Sequence, residues 1–456
     1  MKLYLPNLLY ANHAVHPGMG LLVDENGRVA GLASRETVPP EAEVILLRGK
    51  ALLPGLANAH SHTFQRLFRG RAEGRSVGGD SFWTWREQMY RAALFLTPDE
   101  LYAVARAAFL EMICAGITVV GEFHYLHRDP EGRPYDDPNL LGKLVVEAAQ
   151  SVGLRICLLR TAYFRAGFER QPHPGQRRFY ESPEEYLRNL QQLAGAYSHV
   201  PDVTVGAAPH SIRAVPIPEM MQIAEFAYGR MPLHMHISEQ IAENEACVAE
   251  YGMTPVHLLA DKDILSPKAT LVHAIHLSEA EFAAVSAAGA AICSCPTTER
   301  NLGDGIFPAD TAFRLGIPVA LGTDSQAQID ILEDARQLEY HLRLRERLRG
   351  ILDTPEQPAA ARLFRSATAS GYAALGLDGG SLAPGQFADF FTVHLDDLSI
   401  LGVDAASLAE QAVFALSKSA IRDVAVGGKL ILHDGRHVLE EETRAGYLAA
   451  QRRLHP

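Results

Sequence analysis

Eight short apolar runs alternate with helical sequence patterns between residues 51 and 325. Such alternation is typical of repeated βα units around a parallel sheet. Eight units within about 280 residues suit an α/β fold of the (β/α)8 TIM-barrel type, although the count alone does not exclude a doubly wound open sheet. The predicted strands are, in chain order, 51–59, 118–123, 155–161, 203–208, 232–238, 269–275, 290–296 and 318–325.

Two of the intervening helices have clear start signals. Thr97-Pro98-Asp99-Glu100 offers an N-cap, a proline at the first helical position and a capping-box glutamate. Ser182-Pro183-Glu184-Glu185 repeats this pattern. If the runs close into a barrel, catalytic side chains are expected at the carboxyl ends of its strands.

The two ends of the chain differ from the middle. Residues 1–50 and 383–456 contain short alternating segments with turn signals, typical of small β-hairpins. They are either two unrelated appendages or one β-sandwich built from both termini, since chain ends often lie close together. The predicted divisions are therefore 1–50, 51–382 for the barrel, and 383–456.

Composition excludes several classes of function. The chain carries 42 Lys and Arg against 54 Asp and Glu, a formal charge of −12. This acidity disfavours nucleic acid and anionic membranes as partners. Neither an apolar stretch of membrane-spanning length nor a signal peptide is evident, so we expect a cytoplasmic protein. Five scattered cysteines are too few for a disulfide framework and are expected to be reduced.

Polar side chains at the predicted strand ends suggest a metal site. His60 and His62 are two residues apart, so both point to one face of the first strand. His236 lies near the end of the fifth strand and Asp324 near the end of the eighth. Three imidazoles and one carboxylate suit Zn²⁺ or another divalent transition ion with a position left for water. Taken singly, each residue fits an ordinary structural role better.

Two further residues lie beside this set without being needed as ligands. Glu239 follows His236 by three residues, and His273 ends the sixth strand. The structural alternatives are that Glu239 only favours a helix start, that His273 is a core histidine, and that Asp324 is an N-cap.

Taken together, these motifs resemble the amidohydrolase superfamily of metal-dependent deaminases and hydrolases. The resemblance is carried by Leu-Pro-Gly-Leu-Ala-Asn-Ala-His-Ser-His at 53–62, by His236, His273 and Thr323-Asp324, and by the segment 380–389. It implies a barrel with a single small β-sandwich formed by both termini. Binuclear members carry a bridging carboxylated lysine, usually from the fourth strand, or another bridging carboxylate. Because the run 203–208 has no lysine, we expect one divalent ion per chain, with Zn²⁺ favoured.

The resemblance also implies roles for the remaining residues. In the deaminase branch the glutamate at the Glu239 position is a proton shuttle. A divalent metal lowers the pKa of its bound water to about 7, so hydroxide is available at neutral pH. Asp324 would take the proton, His273 would hydrogen-bond the water, and Glu239 would protonate the departing nitrogen. The catalytic set is therefore Glu239, His273 and Asp324, acting on an sp² carbon whose nitrogen leaves as ammonia.

Within this branch the chain resembles the formimidoylglutamate deiminase family. The resemblance rests on positions where that family contacts its substrate, namely Gln65, Arg86, Tyr125, His210 and Arg213. It implies a small dicarboxylate substrate, N-formimino-L-glutamate, which metal-bound hydroxide converts to N-formyl-L-glutamate and ammonia in histidine degradation. The two arginines suit this substrate, because guanidinium groups bind carboxylates bidentately.

Other interpretations remain open at this point. The chain is alternatively a deaminase of guanine, adenosine or a related heterocycle, or a noncatalytic barrel that has lost its chemistry. Arg86 follows both tryptophans, Trp83 and Trp85, in a loop that is a candidate for a lid excluding water, although the sequence does not tell whether it closes. We also expect a homodimer.

Overall fold

The protein is described by a computed structural model that covers residues 1–71, 82–168, 171 and 173–454. Within these residues the strands are β1 (Lys2–Ala11), β2 (Ala14–Pro17), β3 (Gly20–Val23), β4 (Val29–Ala33), β5 (Glu43–Pro54), β6 (Leu56–Ser61), β7 (Ile117–His124), β8 (Arg155–Ala162), β9 (Val203–Pro209), β10 (Leu233–Ile237), β11 (Ala269–His273), β12 (Ala291–Ser294), β13 (Val319–Leu321), β14 (Phe390–His394), β15 (Ile421–Val426) and β16 (Lys429–Leu432).

Strands β6 to β13 form a barrel in which each strand pairs in parallel with the next along the chain. The ring closes just beyond β13, where Ser61 and Asp324 form a parallel bridge. The Asp324 N–H donates to the carbonyl of His60, and the His62 N–H donates to that of Asp324. This pattern confirms the predicted (β/α)8 barrel.

Helices surround the barrel and connect its strands. Within the described residues they are α1 (Phe82–Phe95), α2 (Pro98–Cys114), α3 (Leu140–Val152), α4 (Pro183–Tyr197), α5 (Ile217–Ala227), α6 (Ile241–Tyr251), α7 (Pro255–Asp261), α8 (Glu279–Ala288), α9 (Pro296–Leu302), α10 (Ala309–Arg314), α11 (Ile331–Glu346), α12 (Ala359–Ala367), α13 (Ala369–Ala374), α14 (Leu408–Phe414) and α15 (Glu440–Leu454). The predicted capping boxes are present at the starts of α2 and α4. Short 3₁₀ turns span Thr63–Phe68, Pro174–Gln176 and Lys418–Ala420.

The remaining strands build one mixed sheet from both ends of the chain. Its order is β16-β15-β14-β5-β1-β3-β4, with β2 added on β1. A cluster of buried residues that includes Tyr4, Leu21 and Phe390 packs within this unit, and the Tyr4 hydroxyl donates to the carbonyl of Gly428 at 2.5 Å. The two termini therefore form one unit and not two unrelated appendages.

The first predicted strand is divided between the two sheets. Residues as far as Pro54 complete β5 of the terminal sheet, and β6 starts at Leu56. Gly55 between them is packed so tightly that a Cβ atom there would lie 2.1 Å from Thr118 Oγ1. Strand β5 thus crosses the predicted division at residue 50, and the chain turns from sheet to barrel within one residue.

A buried ion pair joins the barrel to the terminal sheet. Arg155 at the start of β8 donates two hydrogen bonds to Asp389, of 3.0 and 3.1 Å. Asp389 also accepts from the Tyr372 hydroxyl and from the backbone N–H of Gly427. Both charged side chains are almost completely buried. Among the described residues, no helix is long and apolar enough to cross a membrane.

Candidate metal centre and active site

The carboxyl ends of three strands bring four ligand atoms together. His60 and His62 come from the end of β6, His236 from β10, and Asp324 from the turn after β13. Nε2 of His62 lies 3.2 Å from Nε2 of His60 and 3.2 Å from Oδ1 of Asp324. Nε2 of His60 lies 3.5 Å from the same carboxylate oxygen. His236 completes the group within 4.8 Å, and all four side chains are buried.

These separations fit a divalent metal ion. Donor atoms 2.0 to 2.1 Å from a tetrahedral zinc ion lie about 3.3 Å from one another. The three distances among His60, His62 and Asp324 fall on either side of that value. The residues that were predicted as ligands therefore already have the spacing that an ion would require.

The imidazoles are oriented to offer Nε2 to an ion. Nδ1 of His62 donates to the carbonyl of Phe123 at 2.9 Å, and Nδ1 of His236 donates to that of His210 at 3.0 Å. A hydrogen on Nδ1 leaves Nε2 with a free lone pair, which is the usual arrangement of a zinc-binding histidine. Burial lowers the pKa of His60 to about 3 and that of His236 well below its usual value. Both rings are therefore neutral, as ligands must be.

Asp324 is held by its surroundings as an ionised carboxylate, the state that a metal ligand needs. Burial would raise the pKa of its carboxyl, but the close contacts with His60 and His62 hold that pKa well below the usual value. The preceding Thr323 is held by Asn58 of β6, whose amide nitrogen donates to the Thr323 hydroxyl at 2.7 Å and whose oxygen accepts the Thr323 N–H at 3.0 Å. Asn58 thus ties the last strand end to the first.

His273 lies between three carboxylates. Its Nε2 is 3.7 Å from Glu239 and 3.7 Å from Asp324, and its Nδ1 is 3.4 Å from Glu299 at the start of α9. Burial lowers the pKa of His273, but Glu239, Glu299 and Asp324 outweigh burial and raise it to about 10. Glu299 is held in turn by the Ser294 hydroxyl and the Cys295 N–H. Glu299 therefore orients His273 so that Nε2 faces the metal-ligand group.

Arg213 is buried against two carboxylates from the segment that follows β10. Its Nη2 lies 3.3 Å from Oε2 of Glu239, and its Nε lies 3.7 Å from Oε1 of Glu243. Burial raises the pKa of Glu243, although Arg213 opposes that effect. Glu243 lies four residues after Glu239, so one turn of chain presents both carboxylates to the same guanidinium group.

The predicted substrate-contact residues share one cavity of about 550 Å³ with the catalytic set. Gln65 donates to the Tyr125 hydroxyl at 3.0 Å, and the Tyr125 ring lies against His62. The ring of His210 stacks on that of His236, with centroids 4.7 Å apart. Arg86 of α1 places its guanidinium over the ring of Tyr90. The cavity wall includes all these groups and Glu239, His273, Asp324 and Arg213.

Sequence patterns missed several residues of this cavity. Tyr90 and Tyr163 belong to its wall, and Gln176 lies directly behind them. Glu243 could have been found from its spacing to Glu239, whereas Glu299 occupies an ordinary helix-start position. The predicted lid depends in part on Trp83, whose side chain lies outside the described part of the chain. Trp85 itself lines the cavity.

Comparisons with known proteins agree with this geometry. Residues 51–431 match the amidohydrolase family. The chain is 39% identical to formimidoylglutamate deiminase of Pseudomonas aeruginosa over 405 residues, 88% of each chain. It is 31% identical to 8-oxoguanine deaminase of the same organism, over 84% of this chain and 83% of that one.

A solved structure extends the match to the whole fold. An amidohydrolase from Brucella melitensis superimposes with a TM-score of 0.92 at 32% identity, and the match covers 100% of both chains. The family match covers more than half of the chain and includes every residue of the metal-ligand group. The chain belongs to the amidohydrolase family and is a hydrolase acting on carbon–nitrogen bonds.

Proposed function

We propose that this enzyme hydrolyses N-formimino-L-glutamate to N-formyl-L-glutamate and ammonia. The observation that carries the proposal is the position of Arg86 and Arg213, which line the same cavity as Glu239 and Asp324. A protein with a net charge of −12 needs local cations to hold a dicarboxylate, and guanidinium groups bind carboxylates with two hydrogen bonds. The similarity to a formimidoylglutamate deiminase supports the same substrate.

The metal is proposed to be held by His60, His62, His236 and Asp324, one ion per chain, with zinc favoured by the imidazole-rich set. When bound, such an ion acts as a Lewis acid that makes water nucleophilic near neutral pH. The residues of the chain then move the protons. Asp324 accepts a proton from the attacking water, and His273 donates a hydrogen bond that orients that water.

Glu239 is proposed to pass protons to the substrate. Its Oε1 faces His273 and its Oε2 faces Arg213, so it lies between the water side and the substrate side of the cavity. Water adds to the formimino carbon, the carbon–nitrogen double bond becomes single, and Glu239 protonates the terminal nitrogen. That nitrogen leaves as ammonia, and the formyl carbonyl forms. The atoms balance as one substrate and one water giving one formyl product and one ammonia.

The test is ammonia release from a panel of substrates by the purified enzyme. We expect formiminoglutamate to be the best substrate and formiminoglycine, which lacks the side-chain carboxylate, to be a poor one. The panel should include guanine, adenosine and 8-oxoguanine, because a relative at 31% identity is an 8-oxoguanine deaminase. Faster turnover of any of these heterocycles than of formiminoglutamate would refute the proposal. The Glu239→Gln protein, purified identically, is the control for contaminating deaminases.

A further inference from the structure

A chain of hydrogen bonds ends at the cavity wall in two tyrosine hydroxyls. Gln176 is buried in the 3₁₀ turn Pro174–Gln176, after β8. Its amide nitrogen donates to the hydroxyl oxygen of Tyr90 at 2.5 Å and to that of Tyr163 at 2.8 Å. Tyr90 comes from α1 and Tyr163 from the end of β8, so the glutamine joins two separate parts of the wall.

The orientation of the Gln176 amide is set by a hydrogen bond to its oxygen. The backbone N–H of His173 donates to the hydroxyl oxygen of Tyr180 at 2.9 Å. The Tyr180 hydroxyl donates to Oε1 of Gln176 at 2.5 Å. With its oxygen engaged there, the amide turns both of its N–H groups towards Tyr90 and Tyr163.

The O–H hydrogens of Tyr90 and Tyr163 are not all used within the described part of the protein. Each of the two tyrosine oxygens accepts from Gln176, so each keeps its own O–H hydrogen for another acceptor. The two hydroxyls also contact each other, and that contact uses at most one of the two hydrogens. Within the described residues no other acceptor for these hydroxyls is found. At least one O–H therefore remains for a ligand, and because burial raises the pKa of both tyrosines, both hydroxyls stay protonated.

The position of the pair suits an anionic ligand. The His210 ring lies between the rings of His236 and Tyr163, with a centroid distance of 4.7 Å to each. Tyr163 is thus one ring further from the metal-ligand group than His210 is. The positive charges of Arg213 and Arg86 act on the Tyr163 hydroxyl, so that hydroxyl lies in a field that attracts anions.

We propose that Tyr90 and Tyr163 form a carboxylate-binding subsite for the glutamyl part of the substrate, with Gln176 as the positioning residue that aims their hydroxyls. This inference rests on the proposed function for the identity of the ligand, and adds neutral donors to the two arginines. A hydrogen bond from a neutral donor to a charged acceptor accounts for about 10- to 100-fold in affinity.

The first experiment is a cycle between enzyme and substrate variants. Tyr163→Phe and Tyr90→Phe remove one oxygen atom each. At least one of the two should raise KM for formiminoglutamate about 10- to 100-fold while kcat changes little, because binding in the ground state and the transition state is lost equally. The same variant is then assayed on two analogues, one without the α-carboxylate and one without the side-chain carboxylate. The effect should vanish for the analogue that lacks the carboxylate in question.

The second experiment replaces the hydrogen-bond donor of the positioning residue with an acceptor. Gln176→Glu is nearly the same size, but a carboxylate only accepts hydrogen bonds and so takes the O–H hydrogens away from the ligand. KM should rise at least as much as in the Tyr163→Phe protein. Gln191→Glu on the exposed surface of α4 adds the same charge and should leave KM unchanged. Thermal unfolding of each variant separates a misfolded protein from a specific loss of binding.

A binding measurement distinguishes failure of the proposed subsite from failure of the proposed function. Calorimetric binding of N-formyl-L-glutamate needs no turnover, so it reports on the subsite even if formiminoglutamate is not hydrolysed. Weaker binding in the folded Tyr163→Phe or Tyr90→Phe protein supports the subsite. The inference is overturned if both tyrosine variants keep wild-type KM and product affinity, or if their effects are the same on all three substrates.

Discussion

Replacing Arg213 by Met tests the substrate clamp and a buried charge cluster together. The guanidinium group is about one tenth exposed and faces Glu239 at 3.3 Å and Glu243 at 3.7 Å. Removing it takes a cation from the cavity that we propose binds a dicarboxylate, and it leaves Glu243 without its counter-charge and Glu239 with only His273, at 3.7 Å. The variant should therefore lose both catalytic efficiency and folding stability, for two separable reasons.

The stability loss has an upper limit that follows from protonation. Truncating one partner of a buried ion pair costs about 3 to 5 kcal/mol. An ordinary glutamate has a pKa of about 4.3, so protonating it at pH 7 costs about 4 kcal/mol. Burial already raises the pKa of Glu243, so in the variant Glu243 takes up a proton once the loss approaches that limit. We expect a destabilisation of up to about 4 kcal/mol at pH 7.

The sign of the pH dependence follows from the same reasoning. In the Arg213→Met protein the folded pKa of Glu243 lies above its unfolded pKa, so folding takes up a proton. A group of this kind stabilises the folded state below its unfolded pKa and loses that contribution as the pH rises through its folded pKa. The difference in the free energy of unfolding between wild type and variant should therefore become smaller as the pH is lowered from 7 to about 5. Urea unfolding at several pH values measures it.

A second substitution separates the two effects. In the double variant Arg213→Met, Glu243→Gln the charge of Glu243 is gone and Glu239 keeps His273 at 3.7 Å, so most of the lost stability should return. The catalytic loss should not return, because the substrate carboxylate still lacks its guanidinium partner, and kcat/KM should remain about 30- to 1000-fold below wild type. Ammonia release measures this parameter. A double variant no more stable than Arg213→Met would refute the charge argument, and full kcat/KM in either protein would refute the clamp.

Three further predictions concern the metal and the core. Glu239→Gln should keep its metal and lose about 10²-fold or more in kcat, since Glu239 lies outside the ligand group; metal loss on elemental analysis would make it a ligand. Elemental analysis should find one ion per wild-type chain, and His236→Ala should lose most of the bound metal and activity, whereas two tightly bound, activity-requiring ions would contradict this expectation. Asp389→Ala leaves buried Arg155 with only the half-exposed Asp202 as a carboxylate partner and should cost about 3 to 5 kcal/mol in urea unfolding with KM unchanged; a loss below about 1 kcal/mol would contradict it.

The barrel and the clustering of its four candidate metal ligands could be predicted because both follow from local rules. Strands and helices leave periodic patterns, and caps such as Thr97 and Ser182 form within one turn of chain. A ligand at a strand end needs only a polar residue at the right place in such a pattern. His60, His62 and His236 meet this condition, and hydrogen bonding between strands of fixed register then brings them together.

Some residues of the cavity wall away from the metal-ligand group were predicted only from the family resemblance. Others were not predicted at all. Tyr90 and Tyr163 are 73 positions apart in sequence, and Gln176 joins them from a turn with no periodic pattern. Such contacts depend on how loops of different strands pack against each other, which no local propensity encodes. Glu299 was missed for a related reason, because its partner His273 belongs to a different βα unit.

Backbone strain at the strand ends was also invisible in the sequence. Ser238, His273, Ala274 and Asp324 all have positive φ angles, between 44° and 71°, although none is a glycine. Left-handed backbone at a residue with a side chain is unfavourable and persists where surrounding contacts enforce it. At Asp324 the enforcing contacts are the hydrogen bonds that close the barrel on His60 and His62. The bonds that hold Asp324 in this conformation are thus the ones that place its carboxylate beside the two imidazoles, so ring closure and ligand geometry have a common cause.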